Sequence, residues 1–241
     1  MAYWIVKALL TPVLRVLFRV RVEGREHIAR AGPVILAANH RSFMDSIFLP
    51  LVLRRRVTFV AKAEYFDSRK TSWFFRAVGQ IPIRRDGGSA SERALEAAMD
   101  VLQDGGVFAI YPEGTRTRDG SLHRGHTGVA RLALRASVPI VPVGLVGTDA
   151  IQPTDAKLPR LFRSVTVRFG EPIDVARHAG MLDDRLALRD VTDEVMFEIQ
   201  SLSGYEYVDT YATRAPDAGG GEVAKVLTLE EVDRTPAVAA S

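Results

Sequence analysis

"PVILAANH" (residues 33–40) and "GVFAIYPEG" (residues 106–114) each run from uniformly apolar residues directly into polar ones. Short, uniformly apolar runs are typical of strands buried on both faces, as in parallel sheets covered by helices. Sites in such sheets form at the carboxyl ends of the strands. The two stretches therefore predict an α/β fold, and they place His40 and Glu113 where chemistry is expected.

Strands and helices alternate along the rest of the chain, as expected of a sheet covered by helices. The patterning predicts further strands over residues 18–24, 57–62, 80–83, 138–147 and 165–170, and helices over residues 42–53, 72–78, 89–105, 126–136 and 182–202. We expect a mostly parallel central sheet flanked by helices, in one domain that spans residues 20–211. Residues 212–241 are predicted to form a flexible tail.

Residues 1–19 are apolar but contain Lys7 and Arg15, which argues against a membrane-spanning helix. They also lack the small-residue cleavage site of a secretory signal. Thr11 and Pro12 are typical of a helix start, so the segment predicts two short amphipathic helices that lie in the membrane interface as an anchor. The alternative is a helical hairpin packed on its own domain.

The composition limits the chemistry and the partners of the protein. The chain of 241 residues has no cysteine, which excludes disulfides, thiolate nucleophiles and Cys-ligated metals. Its formal charge of +3 suits nucleic acid, anionic lipid or a phosphorylated substrate. The sequence has no basic run interleaved with aromatic residues, so we do not expect a nucleic-acid partner.

The stretch NHRSFMD (residues 39–45) places a histidine and an aspartate five positions apart. On a continuous helix His40 and Asp45 would point about 140° apart. They meet if His40 lies in the loop after the strand and Ser42 caps a helix whose first turn holds Asp45. The carboxylate then holds Nδ1–H of the imidazole and leaves Nε2 free to take a proton. This is two thirds of a hydrolytic triad, and a substrate hydroxyl would complete it for direct acyl transfer.

The stretch YPEGTRT (residues 111–117) follows the second buried strand. Arg116 offers a planar fork for phosphate, and Gly114 permits close approach of the backbone. Glu113 suits a polyol hydroxyl. The alternative is a strand-end turn with an exposed ion pair.

The stretch GQIPIRR (residues 79–85) ends in two arginines beside another predicted strand. Arg84 and Arg85 suit a phosphate group. A solvated turn is an equally good interpretation of these residues alone.

Four stretches resemble, in order and spacing, the sequence blocks of one family. NHRSFMD resembles an NHx4D block, GQIPIRR a G-x-I-x-x-x-R block, YPEGTRT an FPEGTR block with Tyr111 in place of Phe, and VPIVPV an apolar block ending in Pro. The blocks span roughly residues 20–170. On these residues the chain resembles the glycerolipid acyltransferase family and, within it, the lysophosphatidic acid acyltransferase (PlsC-like) group.

The resemblance implies a role for the residues of these blocks. His40 is the general base that deprotonates the acceptor hydroxyl, and Asp45 orients it. The implied phosphate- and glycerol-binding residues are Lys62, Arg84, Arg85, Glu113, Gly114, Thr115, Arg116 and Arg124. The family often has an acidic residue where Arg84 stands, which leaves open whether Arg84 or Arg85 holds the phosphate. Lys62 is alternatively a surface lysine, and Arg124 alternatively caps a turn.

The resemblance also implies an enzyme that moves a fatty acyl group from acyl-CoA or acyl carrier protein to 1-acylglycerol-3-phosphate, making phosphatidic acid in phospholipid biosynthesis. Glycerol-3-phosphate or another lysophospholipid is the alternative acceptor. We expect no metal and no cofactor beyond the acyl donor as co-substrate. We expect the protein at the cytoplasmic face of the membrane, peripheral or monotopic, with the membrane surface as a partner.

Two other classes of function remain as alternatives. A metal-dependent hydrolase would use His123 and His126, three positions apart, together with His40 and Asp45 as ligands. That alternative leaves the third and fourth blocks unexplained. A non-catalytic lipid-binding or scaffold protein would keep the fold without needing a base.

Overall fold

The central element of the protein is a seven-stranded sheet, accompanied by a two-stranded ribbon. A computed structural model of the protein describes residues 2–67, 69–83, 90–156 and 158–213. The strands are β1 (Arg19–Glu23), β2 (Val34–Ala38), β3 (Val57–Lys62), β4 (Ile81–Ile83), β5 (Val107–Ile110), β6 (Leu122–His123), β7 (Ile140–Val146), β8 (Ser164–Phe169) and β9 (Tyr207–Val208). The helices are α1 (Ala2–Leu17), α2 (Asp45–Val52), α3 (Glu64–Asp67), α4 (Arg69–Ala77), α5 (Ala90–Gln103), α6 (Gly128–Ala136), α7 (Thr148–Ile151) and α8 (Arg185–Ser203).

The larger sheet has the strand order β1-β8-β7-β2-β5-β3-β4. All of its pairings are parallel except that of β7 with β8. Helices cover both faces: Ile35 packs with side chains of α5, α6 and α8, whereas Leu36 packs with side chains of α2. The predicted α/β fold with a mostly parallel sheet flanked by helices is therefore confirmed.

The strands β2 and β5 position the two polar stretches that follow them. They are neighbours and parallel, with Ala37 opposite Ile110. Because their carboxyl ends are in register, the residues that come next leave the sheet at the same edge. His40 and Glu113 therefore emerge close together, as the sequence predicted.

The N-terminal segment differs from the prediction of two short helices, because α1 continues unbroken through Pro12. Proline removes one main-chain N–H from the helix. Just before it, the Thr11 hydroxyl donates to the Lys7 carbonyl at 2.7 Å. The helix persists because its inner face is held on both sides of Pro12, by the buried Tyr3 and the partly buried Leu14.

The inner face of α1 packs on the domain that carries the polar stretches. Lys7 Nζ donates to the carbonyls of Pro50 and Leu53 at the C-terminal end of α2. Burial, with a smaller effect of the nearby Arg25, lowers the pKa of Lys7 to about 8. A cation at this end of a helix complements the helix dipole. Within the described ranges, no helix has the length and apolar character needed to cross a bilayer.

The remaining differences from the sequence prediction are small. The ribbon of β6 and β9 was not predicted, because strands of two residues are too short to carry an alternating pattern. The helix predicted over residues 72–78 is α4, and it is preceded by the short α3. The helix predicted over residues 89–105 is α5, and Ser89, the first residue of the predicted range, lies outside the described residues. The same holds for residues 214–241 of the predicted tail.

Candidate active site

His40 and Asp45 meet in the turn between β2 and α2. Nδ1 of His40 lies 2.9 Å from Oδ2 of Asp45, so the hydrogen bond expected from the spacing is present. The main-chain N–H groups of Arg41 and Ser42 donate to the same oxygen, at 2.7 and 2.8 Å. Since a carboxylate only accepts, Nδ1 carries the proton and Nε2 of the neutral ring keeps its lone pair. Nε2 makes no hydrogen bond with any residue that the structure describes.

Reciprocal hydrogen bonds at the start of α2 close this turn. Ser42 Oγ accepts the N–H of Met44 at 3.1 Å, while the Asp45 carboxylate accepts the N–H of Ser42. These bonds bring Asp45 back to the loop that holds His40, as predicted. The helix itself begins only at Asp45, and its N-cap is Met44, without a side-chain cap, rather than the predicted Ser42. Asp45 is fully buried, so its carboxylate is fixed behind the imidazole.

The YPEGTRT loop holds the main chain of His40. Oε1 of Glu113 accepts the N–H of His40 at 2.9 Å. The N–H of Thr117 donates to the His40 carbonyl, also at 2.9 Å. Both main-chain polar groups of the histidine are therefore bound by one loop, and the register of β2 and β5 contributes to the position of the imidazole.

Tyr111 stacks against one face of the imidazole. The ring centroids of Tyr111 and His40 are 3.8 Å apart, and the ring planes are inclined by 8°. The Tyr111 hydroxyl lies 2.9 Å from Oγ of Ser46, the residue next to Asp45. Burial, followed by the charge of Asp45, raises the pKa of Tyr111 well above its usual value, so the phenol is neutral. The stack with Tyr111 fixes the plane of the imidazole ring. The hydrogen bond to Asp45 fixes the orientation of the ring within that plane.

Glu113 is a buried carboxylate that binds two main-chain N–H groups. Besides His40, the N–H of His123 donates to it, at 2.9 Å from Oε2. Burial raises the pKa of Glu113 from 4.5 to about 7, although both hydrogen bonds favour the charged form. The residue is only 1 % exposed, and both of its oxygens contact the main chain. Its predicted contact with a glycerol hydroxyl stays a prediction, and this burial disfavours it.

The next three residues of the loop are at the surface of the site. Gly114 has a φ of +72°, and a Cβ there would lie 3.1 Å from Cδ2 of His126. Thr115 and Arg116 are partly exposed. The Arg116 side chain has no hydrogen bond or ion pair with the described residues, so its guanidinium is available to an anion. The phosphate and glycerol contacts of these three residues stay predictions.

Arg124 contacts the C-terminal segment of the described chain. Its Nε lies 3.6 Å from Asp209 Oδ1, and its guanidinium lies 5.5 Å from the centre of the Tyr211 ring. Its main-chain N–H donates to the Thr210 carbonyl at 3.0 Å. The implied approach of Arg124 to a phosphate therefore competes with these contacts and stays a prediction.

The histidines of the hydrolase alternative are engaged elsewhere. The ring nitrogens of His123 lie 3.1 Å from the Thr210 carbonyl and 2.9 Å from Asp119 Oδ2. His126 stacks on Tyr211, with ring centroids 4.5 Å apart. In the described part of the chain, no three His, Cys, Asp or Glu side chains cluster as metal ligands. The ligand set that the alternative requires is not assembled among these residues.

The structure does not describe the side chains of three residues of the implied phosphate site. Arg84 and Arg85 lie outside the described residues, and so does the side chain of Lys62. The main chain of Lys62 is opposite Ile83 in the parallel pairing of β3 with β4. The carboxyl ends of these strands are thus on the same edge of the sheet as those of β2 and β5.

Two residues for which the sequence predicted no individual role, Arg41 and Asn39, support the turn from outside. Arg41 bonds to Asp149 at 2.7 Å and lies over the Tyr205 ring, 4.1 Å from its centre. The Asn39 amide bonds to both main-chain groups of Leu145, at 2.9 and 2.7 Å, and so extends the pairing of β2 with β7. Their partners are more than a hundred residues away, so no local pattern could have identified these contacts.

Comparison with known proteins shows that the sequence is similar to that of acyltransferases. The family model described as Acyltransferase matches residues 19–146. The chain is 30% identical over 141 residues to "1-acyl-sn-glycerol-3-phosphate acyltransferase LPAT1, chloroplastic" of Arabidopsis thaliana, covering 58% of this chain and 39% of the relative. It is 33% identical over 127 residues to "1-acyl-sn-glycerol-3-phosphate acyltransferase alpha" of Homo sapiens, covering 52% of this chain and 44% of the relative. The matched part thus spans less than half the length of these two curated relatives.

A solved structure shares the fold. The crystal structure of the 1-acyl-sn-glycerophosphate acyltransferase PlsC from Thermotoga maritima aligns with a TM-score of 0.59 at 30% identity, covering 76% of this chain and 71% of that chain. The family model covers more than half of the present chain and includes both the His40 turn and the YPEGTRT loop. On this sequence match, supported by the shared sheet, the chain belongs to the Acyltransferase family.

Proposed function

We propose that the protein transfers a fatty acyl group from acyl-CoA or acyl carrier protein to the hydroxyl of 1-acylglycerol-3-phosphate, which makes phosphatidic acid. The observation that carries the proposal is the imidazole of His40, with Nδ1 bound to the buried Asp45 and Nε2 unbonded among the described residues. The names of the relatives support this acceptor. Glycerol-3-phosphate and other lysophospholipids are the alternative acceptors.

In the proposed reaction, His40 is the general base. Nε2 takes the proton of the acceptor hydroxyl while the oxygen attacks the carbonyl carbon of the thioester, which is worth about 10²–10⁴-fold in rate. Asp45 stabilises the imidazolium that forms. The tetrahedral intermediate then breaks its C–S bond, and the imidazolium returns the proton to the leaving thiolate. The thioester is already activated, so the step requires no further cofactor.

Arg116 is the proposed phosphate ligand, with Arg84 or Arg85 and Lys62 adding positive charge. The support is that the guanidinium of Arg116 lacks a partner among the described residues and belongs to the loop that binds the main chain of His40. A planar guanidinium pairs with two phosphate oxygens at once. An acceptor held by its phosphate would keep its hydroxyl near the base.

We place the protein at the cytoplasmic face of a membrane as part of the same proposal. Ile5, Leu9, Val13 and Val16 are exposed and lie on one side of α1, roughly opposite the side from which Lys7 and Leu14 contact the domain. We name these four residues the outer stripe of α1. An apolar stripe on a helix that also carries cations suits the membrane interface, where a lysophospholipid acceptor resides. No spanning helix is needed for this association.

Acceptor-dependent release of thiol tests the reaction. Because the chain contains no cysteine, a thiol reagent would report only the CoA that is released. With one acyl-CoA and a panel of acceptors, we expect the highest kcat/KM for 1-acylglycerol-3-phosphate. His40→Ala should lower kcat at least about 100-fold while the circular dichroism spectrum is unchanged. Wild-type protein that releases no thiol with any acceptor would contradict the proposal and favour the lipid-binding alternative.

A matched pair of arginine variants tests the phosphate assignment. Arg116→Ala should raise the KM for phosphorylated acceptors much more than the KM for acyl-CoA. Arg118→Ala is the control, because Arg118 is two residues away, half exposed and paired with the exposed Asp155 at 3.4 Å. Equal increases in both KM values for Arg116→Ala would refute the assignment.

A further inference from the structure

A second exposed apolar surface lies between α7 and β8, in residues 158–163, hereafter the apolar loop. Its large exposed apolar side chains are Leu158, Leu161 and Phe162. The loop is attached to the end of α1, because the N–H of Phe162 donates to the Leu17 carbonyl at 2.8 Å. The apolar loop therefore adjoins the end of the helix that carries the outer stripe.

The backbone at Phe162 has an unusual conformation at the point where the apolar loop is attached to α1. Its φ is +60°, a left-handed conformation that is unfavourable for residues with a Cβ. Among the described residues, Ser137 is the other non-glycine residue with positive φ, and it caps the C-terminal end of α6 with its N–H. Phe162 has a similar role, because its N–H donates to the carbonyl of Leu17, the last residue of α1, while its ring lies mostly in solvent. The apolar loop is thus fixed to α1 while it exposes three large apolar side chains, which indicates a contact outside the chain.

The charges around this surface are positive and unpaired. Arg15 and Arg19 on one segment, and Arg160 and Arg163 on the other, are exposed and have no ion pair with residues in the described ranges. Neither residues 2–22 nor residues 156–163 contain an acidic residue. Apolar side chains beside cations match the two layers of an anionic membrane surface, the acyl chains and the phosphate headgroups.

We propose that the apolar loop and the outer stripe of α1 form one surface that docks on an anionic bilayer, with Leu158 and Phe162 inserted among the lipids. This inference rests on the membrane association in the proposed function and adds a second point of attachment. Two separate points fix the orientation of the protein on the membrane, which a single helix can leave free to rotate about its axis.

The same connection that carries the apolar loop also contacts the site. Ser42 Oγ donates to the Gln152 carbonyl at 2.7 Å, and Arg41 bonds to Asp149 at 2.7 Å. The chain from β7 to β8 thus touches the His40 turn at its start and α1 at its end. Docking through the apolar loop therefore holds the site close to the bilayer that supplies a lysophospholipid acceptor.

Matched double variants of the full chain test the proposal. The test variant is Leu158→Asn with Phe162→Asn, and the control is Leu186→Asn with Phe197→Asn. The side chains match in type and exposure: the leucines are 79% and 81% exposed, and the phenylalanines 67% and 64%. The control residues lie on α8, which covers the opposite face of the sheet from α1 and α2. Asparagine tolerates a positive φ, so the test variant should fold.

Cosedimentation with vesicles of phosphatidylglycerol and phosphatidylcholine measures the binding. The test variant should bind phosphatidylglycerol vesicles at least about tenfold more weakly than wild type, because a single large apolar side chain moved out of water contributes roughly that factor. The control should bind like wild type. Wild type should also bind vesicles of pure phosphatidylcholine more weakly, because the arginines lose their anionic partners.

Equal binding of the two double variants would overturn the proposal. The proposal would also be overturned if wild-type protein did not bind vesicles and only the test variant had a raised KM for acyl carrier protein. The surface would then bind an acidic protein instead of a bilayer. Acyl transfer to a short-chain, water-soluble acceptor without vesicles separates this inference from the proposed function. Both double variants should keep wild-type kcat in that assay, and a wild type inactive in it would refute the function whatever the vesicles bind.

Discussion

Replacing Glu113 with Gln tests whether a buried carboxylate positions His40, the proposed general base. The side chain keeps its size, and its remaining oxygen can accept one N–H, from His40 or from His123. The new NH2 group then faces the other main-chain donor. A buried donor left without an acceptor costs about 1–3 kcal/mol. Glu113→Gln should therefore lower the free energy of unfolding by about that amount where the wild-type carboxyl is protonated.

The raised pKa of Glu113 determines how the stability difference between wild type and Glu113→Gln changes with pH. Burial raises the pKa of Glu113 from 4.5 to about 7, which corresponds to about 3 kcal/mol. Below pH 4.5 both the folded and the unfolded chain carry the proton. Between pH 4.5 and 7 the unfolded chain loses it first, so the stability that wild type derives from protonated Glu113 declines and is lost once the pH passes about 7. Gln does not titrate, so the deficit of about 1–3 kcal/mol should fall by about 3 kcal/mol between pH 4.5 and pH 8, which leaves Glu113→Gln as stable as wild type or more stable by up to about 2 kcal/mol.

Urea unfolding of wild type and Glu113→Gln at several pH values between 4.5 and 8 measures this difference. Glu206→Gln, at an exposed position, controls for the loss of one carboxyl group. At pH 8, where the variant should be at least as stable as wild type, Glu113→Gln should still have a reduced kcat, because the main chain of His40 has lost a fixed acceptor. A stability difference that stays constant with pH, or that moves in favour of wild type as the pH rises, would refute the reasoning.

Four further substitutions probe the contacts around the imidazole. Tyr111→Phe and Ser46→Ala should each lower the free energy of unfolding by about 1 kcal/mol, and urea unfolding of the double variant should give less than the sum, because both remove one hydrogen bond. Gly114→Ala should destabilise by about 1–2 kcal/mol from its φ of +72° alone, and thermal unfolding should show more if the His126 ring cannot move from the new Cβ. Asn39→Ala should cost about 3 kcal/mol in urea unfolding, because it leaves a buried N–H and a buried carbonyl without partners.

Local hydrogen bonds explain why the His40 turn could be predicted. Ser42 and Asp45 bond to each other across three residues, and Asp45 bonds to His40 across five. Such contacts depend on a capping pattern and a spacing that are both visible in the sequence. The apolar runs before His40 and Glu113 likewise indicated buried strands, and parallel strands bring their carboxyl ends to one edge.

Contacts between distant segments explain what could not be predicted. The bond from His40 to Glu113 joins residues 73 apart, and it depends on the register of β2 with β5. Glu113 was expected to face the substrate because a carboxylate in a polar loop gives no sign of its burial. The break predicted at Pro12 was wrong for a similar reason, because packing on both sides of the proline outweighs its local effect.

The sequence by itself determined the alternation of strands and helices, the two polar stretches at strand ends and the pairing of His40 with Asp45. These features follow from periodicity and from hydrogen bonds within a few residues, which every chain with this order of side chains would share. Only the tertiary structure decided that Tyr111 stacks on the imidazole, that Glu113 binds the main chain and that the apolar loop lies beside α1. Each of those contacts joins segments far apart in the chain, and their meeting depends on strand order and helix packing rather than on any local pattern.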